Sequence, residues 1–400
     1  RRSFLKHTSA QAAALAAVTM FGRRTAQAQR APKAEQGIRV LKLSGAPRDR
    51  GRQHGEALRE MIQPFIGVWA AYLSQQAGVP AEAFVQDFLG NTEFDKAMAR
   101  WTPDLLEELA GIAEGADVDP AMLMAFNLTD EQWWYARLKM AGADLAELRG
   151  CTSLGFARGP DTPPVIAQNM DIASGSEGFE VLLHIDYPDS DLQSYVFSVA
   201  GMLGIMGLNN APVGVCNNSL RQLDVAIDGL PVNAVTRGIL AQPDYQAAVS
   251  FVQDVKHASG QNYILGGPSK VISFECSAGA VVEFDPPALD GIVYHTNHPL
   301  VNEDTDLARF MEQALSDNPA RLTSSDARLQ IVEERLAELP ENIDVAYIKN
   351  ILMSRDNAEL PVCRPHDPDD LGATFTAASV VMEMTTPPVL HLAPGPPSET

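Results

Sequence analysis

The feature that most constrains this chain is a change of pattern at one residue. Ahead of Cys151, apolar side chains recur at three- and four-residue steps, as on helix faces; beyond it come short β-branched runs cut by Gly, Pro and Asp. The switch lies in Leu148-Arg149-Gly150-Cys151-Thr152-Ser153-Leu154-Gly155-Phe156, a thiol between a glycine and two hydroxyl residues at the head of an apolar run. A thiol is a strong nucleophile once a base takes its proton. If the chain cuts itself after Gly150, the new α-amino group of Cys151 supplies that base, with an ordinary pKa of about 7.7 to 8.0. Gly150 has no side chain to hinder attack on its carbonyl and a backbone that accepts strained geometry. Taken alone, the cysteine also fits a small buried hydrophobe at the start of a strand.

Before the switch, Ile38 to Leu43 alternates as a strand, Ser44-Gly45-Ala46-Pro47 turns it, and Arg48 to Ser74 has the periodicity of a helix. Within its first turns sits Gly51-Arg52-Gln53-His54-Gly55, whose histidine fits a hydrogen-bonded structural group better than a ligand. Helical spacing persists from Pro80 to Leu148 and includes Trp133-Trp134-Tyr135, which reads as core. After Cys151, strands are predicted at 165–171, 181–185, 194–199, 213–216, 262–265, 271–275, 281–284 and 292–296, with helices at 232–241, 245–256, 305–315, 324–339 and 345–354. A closing hairpin is expected from 374–384 and 389–392.

Composition narrows the partners. A net charge of -21 argues against nucleic acid or an anionic membrane, since phosphate neutralisation needs clustered Lys and Arg. The four cysteines, Cys151, Cys216, Cys276 and Cys363, show no zinc-type spacing, so no metal is expected. Residues 1–28 read as an export leader: Arg1-Arg2-Ser3-Phe4-Leu5-Lys6 is a twin-arginine signal, followed by a weakly apolar run and an Ala26-Gln27-Ala28 cleavage site. Its apolar run is shorter than the ~20 residues of a membrane span. The expectation is a periplasmic or secreted protein, with 29–36 a polar linker. Losing the five basic residues of the leader takes the formal charge from -21 to -26.

The polar landmarks downstream each end an apolar run, where a strand presents a side chain to a cleft: Gln168-Asn169-Met170-Asp171, Asn209-Asn210, Asn217-Asn218-Ser219 and His295-Thr296-Asn297-His298. A carboxylate such as Asp171 suits an ammonium, and neutral amides such as Asn297 suit a developing oxyanion. Singly, each also fits a turn.

In order and spacing, these landmarks, with Gly51 to Gly55, Gly150-Cys151-Thr152, Ala200 to Asn209 and Gly372-Ala373-Thr374, make the chain resemble the acyl-coenzyme A:6-aminopenicillanic acid acyltransferase family of N-terminal nucleophile hydrolases from about Arg48 to Pro397. The resemblance implies an α+β, four-layer αββα sandwich, with residues 29–150 a mainly helical α piece and 151–400 a β piece carrying the catalytic core. It implies cleavage between Gly150 and Cys151, the two pieces staying associated, and attack by Cys151 on an amide or acyl carbonyl without a cofactor. By position, Asp171 would contact the amine and thiol, Asn297 would donate to the oxyanion, Asn218 is a further oxyanion candidate, and Ser153 would assist processing. One departure stands out: Leu371, behind Asp369-Asp370, occupies the place where the penicillin-forming member carries an arginine. That change argues against an anionic penicillin nucleus or coenzyme A as ligand. The expected activity is that of an amidase or acylase on a small-molecule amide. Acyl transfer to an amine is the alternative, and a periplasmic solute-binding protein with an inert Cys151 the reading from another class.

Overall fold

The computed structural model describes residues 37–139, 150–157, 162–188, 190–287, 289–305, 324–340, 343–370 and 373–399. The leader, the linker, the expected helix at 305–315 beyond its first residue, and Leu371-Gly372 lie outside them.

Two sheets form the centre. One has eight strands in the order β1 (Arg39–Leu43), β4 (Glu180–Asp186), β5 (Gln193–Val199), β6 (Met206–Asn209), β7 (Val213–Ser219), β8 (Gln261–Gly266), β9 (Val271–Cys276), β10 (Val281–Glu283). The other has five, in the order β11 (Ile292–His295), β2 (Gly150–Phe156), β3 (Val165–Ala173), β12 (Thr374–Glu383), β13 (Val389–Pro394). Every pairing is antiparallel except β1 with β4. The sheets stack face to face with little room: a Cβ on Gly155 of β2 would meet Ile264 and Val271 of the larger sheet, and one on Gly214 of β7 would meet Ile166 and Met384 of the smaller. Both faces of β2 are therefore covered, which is why its seven residues are all buried and read as a continuous run instead of an alternation.

Helices close both outer faces and complete the expected αββα sandwich. Against the larger sheet lie α1 (Pro47–Ala77), α4 (Pro103–Ala116), α7 (Val232–Leu240) and α8 (Tyr245–Asp254). The same side holds α2 (Ala81–Gly90), α3 (Phe94–Trp101), α5 (Pro120–Phe126) and α6 (Thr129–Lys139), whose Trp134 and Tyr135 are buried with Phe84, Phe88 and Phe94. Against the smaller sheet lie α9 (Ser324–Ala337) and α10 (Val345–Leu352), with Val332, Leu336, Ile348 and Ile351 packed on Leu154, Phe156, Ala167 and Val381.

The Gly51 to Gly55 motif is a packing seam. A Cβ on Gly51 would sit 1.9 Å from the Glu108 carbonyl oxygen and one on Gly55 2.3 Å from that of Ile112; Gly111 and Gly115 return the same contact to α1. Backbones this close exclude any other residue. His54, within the seam, accepts the Gly201 N–H at its Nε2, 3.1 Å away. Burial, with Arg237 nearby and against the pull of Glu108, lowers its pKa to about 4 and keeps the ring neutral. Beside it, Glu108 receives both Arg50 and Arg237, all three buried. This triad and the β1–β4 pairing tie the segment before Cys151 to the one after it. The Gly-rich stretch before β6 hid that strand from the sequence reading.

Candidate active site

Cys151 is the second residue of β2, paired with Met170 of β3, and its Sγ lies 3.4 Å from the Met170 thioether between the two sheets. Alternation along a strand puts Thr152 on the opposite face, toward α9. Ser153 returns to the intersheet face, where its hydroxyl is buried with no hydrogen-bond partner among the described residues. Cys216, in the same core cluster, is pushed well above the usual thiol range by burial, with the Cys151 thiol adding to it. Among the described residues, no disulfide joins Cys151, Cys216, Cys276 or Cys363.

The peptide joining Gly150 to Cys151 is where the polar groups converge. The Cys151 N–H donates to Asn297 Oδ1 at 2.8 Å. Gly150 pairs with Asp171 across the β2–β3 ladder. At the place a Gly150 Cβ would occupy, Asp171 Oδ2, Arg364 Nη2 and Arg328 Nη2 stand 3.1, 3.3 and 3.4 Å away. A carboxylate and two guanidinium groups thus face one glycine. Asp171 is held from its other side: Thr376 of β12 donates to its Oδ1 at 2.7 Å, and Arg364 Nε forms an ion pair with Oδ2 at 3.2 Å. The same Thr376 hydroxyl accepts the Arg364 backbone N–H, so one residue sets both members of the pair.

Arg328, on α9 and fully buried, reaches through to β2. Its Nη1 donates to the Cys151 carbonyl oxygen and, at 3.0 Å, to the Thr152 hydroxyl, while Nη2 donates to Asn297 Oδ1 at 2.8 Å. The planar fork spans three acceptors that a lysine would not reach together. Arg364 likewise donates to Thr374 and Ser324.

The positions singled out in the sequence separate into two groups. Gly150, Cys151, Asp171 and Asn297 come together. Asp171 lies beside the Gly150 backbone on the α9 side, and the Cys151 thiol points to the other side of the sheet. Asn297 presents its oxygen to the Cys151 nitrogen, while its Nδ2 donates to the Ser219 carbonyl at 3.1 Å, leaving a second N–H. Asn218 sits one layer away: its Nδ2 donates to the His295 carbonyl and its Oδ1 accepts from Asn262, at 3.4 and 3.3 Å. Asn217 faces the helices, bonded to Ile205 and Thr236, and is clamped through its backbone by both ends of the Gln168 amide. His295 is tied to Glu275, which also accepts three backbone N–H groups from Leu300 to Asn302. Burial raises the Glu275 carboxyl, but these donors outweigh it and the net direction is down.

Arg328, Arg364 and Thr376 were absent from the sequence reading. Leu371 lies outside the described residues, and the two cations beside Gly150 come from other segments of the chain. Arg328 carries no local signal, being one charged residue in an amphipathic helix. Among the described residues, no group of three His, Cys, Asp or Glu side chains is placed to hold a metal, and no helix is long and apolar enough to cross a membrane.

The chain is similar to the acyl-coenzyme A:6-aminopenicillanic-acid-acyltransferase 40 kDa form of Emericella nidulans, 25% identical over 266 residues that cover 64% of this chain and 68% of that one. Among solved structures it is similar to penicillin V acylase from Agrobacterium tumefaciens, with TM-score 0.37 and 15% identity, covering 58% of this chain and 80% of that one. It is also similar to a mutant conjugated bile acid hydrolase from Clostridium perfringens, with TM-score 0.36 and 12% identity, covering 60% and 89%. The profile of one family, described as acyl-coenzyme A:6-aminopenicillanic acid acyl-transferase, matches residues 157–388, more than half of the chain. This protein belongs to that family.

Proposed function

We propose that this protein is a self-processing cysteine acylase: it cuts itself between Gly150 and Cys151 and then hydrolyses the linear amide of a small molecule through a thioester on Cys151. The observation that carries this reading is the convergence of Asp171, Arg328, Arg364 and Asn297 on the single peptide between Gly150 and Cys151.

In processing, Sγ attacks the Gly150 carbonyl carbon, the C–N bond breaks as the Cys151 nitrogen takes the thiol proton, and water hydrolyses the resulting thioester. Cys151 is left with a free amine and a free thiol. In turnover that amine takes the thiol proton, Sγ adds to the substrate carbonyl, and the substrate amine leaves with the proton. Water then releases the acid and restores the thiol. Splitting one hard step into two is the usual gain of covalent catalysis. Asp171 would hold the new amine in place, while the two guanidinium groups favour its neutral form, the form that acts as a base. The remaining N–H of Asn297 would serve the oxyanion, a contribution of about 2.7 to 4 kcal/mol where one such donor has been removed elsewhere. Asn218, one layer behind, and Ser153, two residues along β2 on the same face, would shape the intersheet side of the thiol.

Export through the twin-arginine route belongs to the same reading, supported by residues 1–28 alone. Association of the two pieces after cleavage is supported by the Arg50–Glu108–Arg237 triad and by β1 in the larger sheet. Transfer in place of hydrolysis is the alternative, favoured by the name of the Emericella relative. Incubating the processed protein with an acyl amide and a competing amine separates the two. Hydrolysis predicts free acid at all amine concentrations, whereas an acylated amine rising in proportion to the competitor contradicts it.

A further inference from the structure

The last residue of the His295 to His298 motif has no part in the chemistry described so far. His298 follows Asn297 and is half-buried against the first turn of α9, with Nδ1 2.8 Å from the Ser325 hydroxyl and Nε2 3.8 Å from Asp326 Oδ1. Ser325 is itself buried, and its Oγ accepts the Asn297 backbone N–H at 2.7 Å. Ser325 and Arg328 lie three residues apart on one face of α9. The first holds Asn297 by its backbone and the second by its side chain.

The direction of the His298 contact follows from the protons around it. A backbone N–H can only donate, so Asn297 occupies one lone pair of Ser325 Oγ. Thr296 Oγ1 lies 3.1 Å from the Ser325 carbonyl oxygen, which can only accept, so the Thr296 proton points there. The 3.0 Å contact between the two hydroxyls is then made with the Ser325 proton. With that proton on Thr296, Oγ can only accept from His298. The ring is neutral at about pH 7.5, because burial, aided by His295 and Arg328 and opposed by Asp326 and Glu275, lowers its pKa below the ordinary 6.5. A neutral imidazole carries one N–H, which here is on Nδ1.

We propose that His298 is a positioning residue: its Nδ1–H fixes the Ser325 hydroxyl, which fixes the Asn297 backbone and so aims the Asn297 side-chain N–H at the oxyanion. The proposal rests on Cys151 as nucleophile and Asn297 as oxyanion donor, as above. Three partners in different directions pin one atom, whereas two leave it free to swing about the line between them. A donor that swings away from the developing charge slows acyl transfer to the thiol and leaves the thiol itself unchanged.

The test uses the full purified chain and two reagents. With 4-nitrophenyl acetate, Sγ of Cys151 adds to the carbonyl, an oxyanion forms, and 4-nitrophenolate leaves. With iodoacetamide, Sγ displaces iodide at a saturated carbon and no oxyanion forms. Asparagine sets an amide N–H near the place of the imidazole Nδ1, and glutamine sets one near that of Nε2. His298→Gln and His298→Leu are expected to lower kcat/KM for 4-nitrophenyl acetate by about tenfold, the scale of one ordinary hydrogen bond, with alkylation of Cys151 within about twofold of the parent. His298→Asn should keep most of the parent rate. In the parent labelled with nitrogen-15 at histidine, the His298 ring, assigned from His298→Asn, should carry its proton on Nδ1. A proton on Nε2, an asparagine variant no better than the glutamine one, or acylation and alkylation falling together would overturn the proposal. The nitrogen spectrum needs no chemistry: a proton on Nδ1 in a parent that 4-nitrophenyl acetate does not acylate would uphold the His298–Ser325 bond and count against the cysteine acylase reading, whereas acylation with the proton on Nε2 would do the reverse.

Discussion

The side chain of Arg328 and the backbone of Cys151 meet at one atom, Asn297 Oδ1, each donating to it at 2.8 Å. With its other nitrogen on the Cys151 carbonyl, Arg328 brackets the nucleophilic residue at both ends of its backbone. Replacing it by lysine keeps the charge and loses the fork. Arg328→Lys is predicted to lower kcat/KM and the rate of processing by about a hundredfold, the scale of one lost oxyanion-type donor. Near-ultraviolet circular dichroism matching the parent would show that the loss is not one of folding; unchanged kinetics would remove Arg328 from the site.

Gly150→Ala sets a methyl group against Asp171, Arg364 and Arg328 at 3.1 to 3.4 Å. These are tight contacts with charged atoms held in ion pairs and hydrogen bonds, so they or the scissile peptide must shift by a few tenths of an ångström. Displacements on that scale are costly in a positioned reaction. Processing is predicted to slow at least tenfold, followed as the fraction of uncut chain against time after purification.

The buried triad predicts what holds the two pieces together. Removing one partner of a buried ion pair leaves a charge uncompensated, at a cost of about 3 to 5 kcal/mol. Glu108→Gln, which leaves two buried guanidinium groups without their anion, should therefore lose several kcal/mol in denaturant unfolding and release the 29–150 piece from the processed protein on size exclusion, while a surface control such as Lys96→Met should do neither. Burial raises the Glu108 carboxyl, but Arg237 and Arg50 outweigh it and hold it below its ordinary 4.5. Its contribution is complete above pH 4.5 and lost as pH falls through the lower folded value.

Stability at milder pH is set by groups that pull in opposite directions. Burial lowers His54 and His257 from 6.5 to about 4, so the folded state binds fewer protons than the unfolded one, and stability falls as pH drops from 6.5 toward 4. Burial, together with Asp130, raises Glu131 from 4.5 to about 7, and burial raises Glu180 likewise; these cost stability as pH rises from 4.5 through 7. Each displacement is worth about 3 kcal/mol. The melting temperature should be nearly flat between pH 4.5 and 6.5 and decline above it. Glu131→Gln should remove part of the decline between pH 6 and 8, and an unchanged profile would contradict the buried, uncompensated Glu131 on which the prediction depends.

The helices, most strands and the organisation around Cys151 were legible because they rest on local periodicity. So was the structural role of His54, since a lone histidine within a helix is more often a hydrogen-bonded structural group than a ligand. What could not be read is set by contacts between distant segments. β6 is four residues interrupted by Gly207, too short and too Gly-rich to show a period. Choosing between Asn217 and Asn218 required knowing which face of β7 meets the smaller sheet. Arg328 and Arg364 reach the site from a helix and a loop about 180 and 210 residues after Cys151, and side chains so far along the chain leave no spacing to recognise.

The most direct test of the central claim is the denatured intact mass of the purified protein beside its Cys151→Ala variant. Two fragments, the second beginning at Cys151 and both missing from the variant, are predicted. A single uncut chain in both, under conditions in which the parent hydrolyses an amide, would show that Cys151 does not become an N-terminal nucleophile.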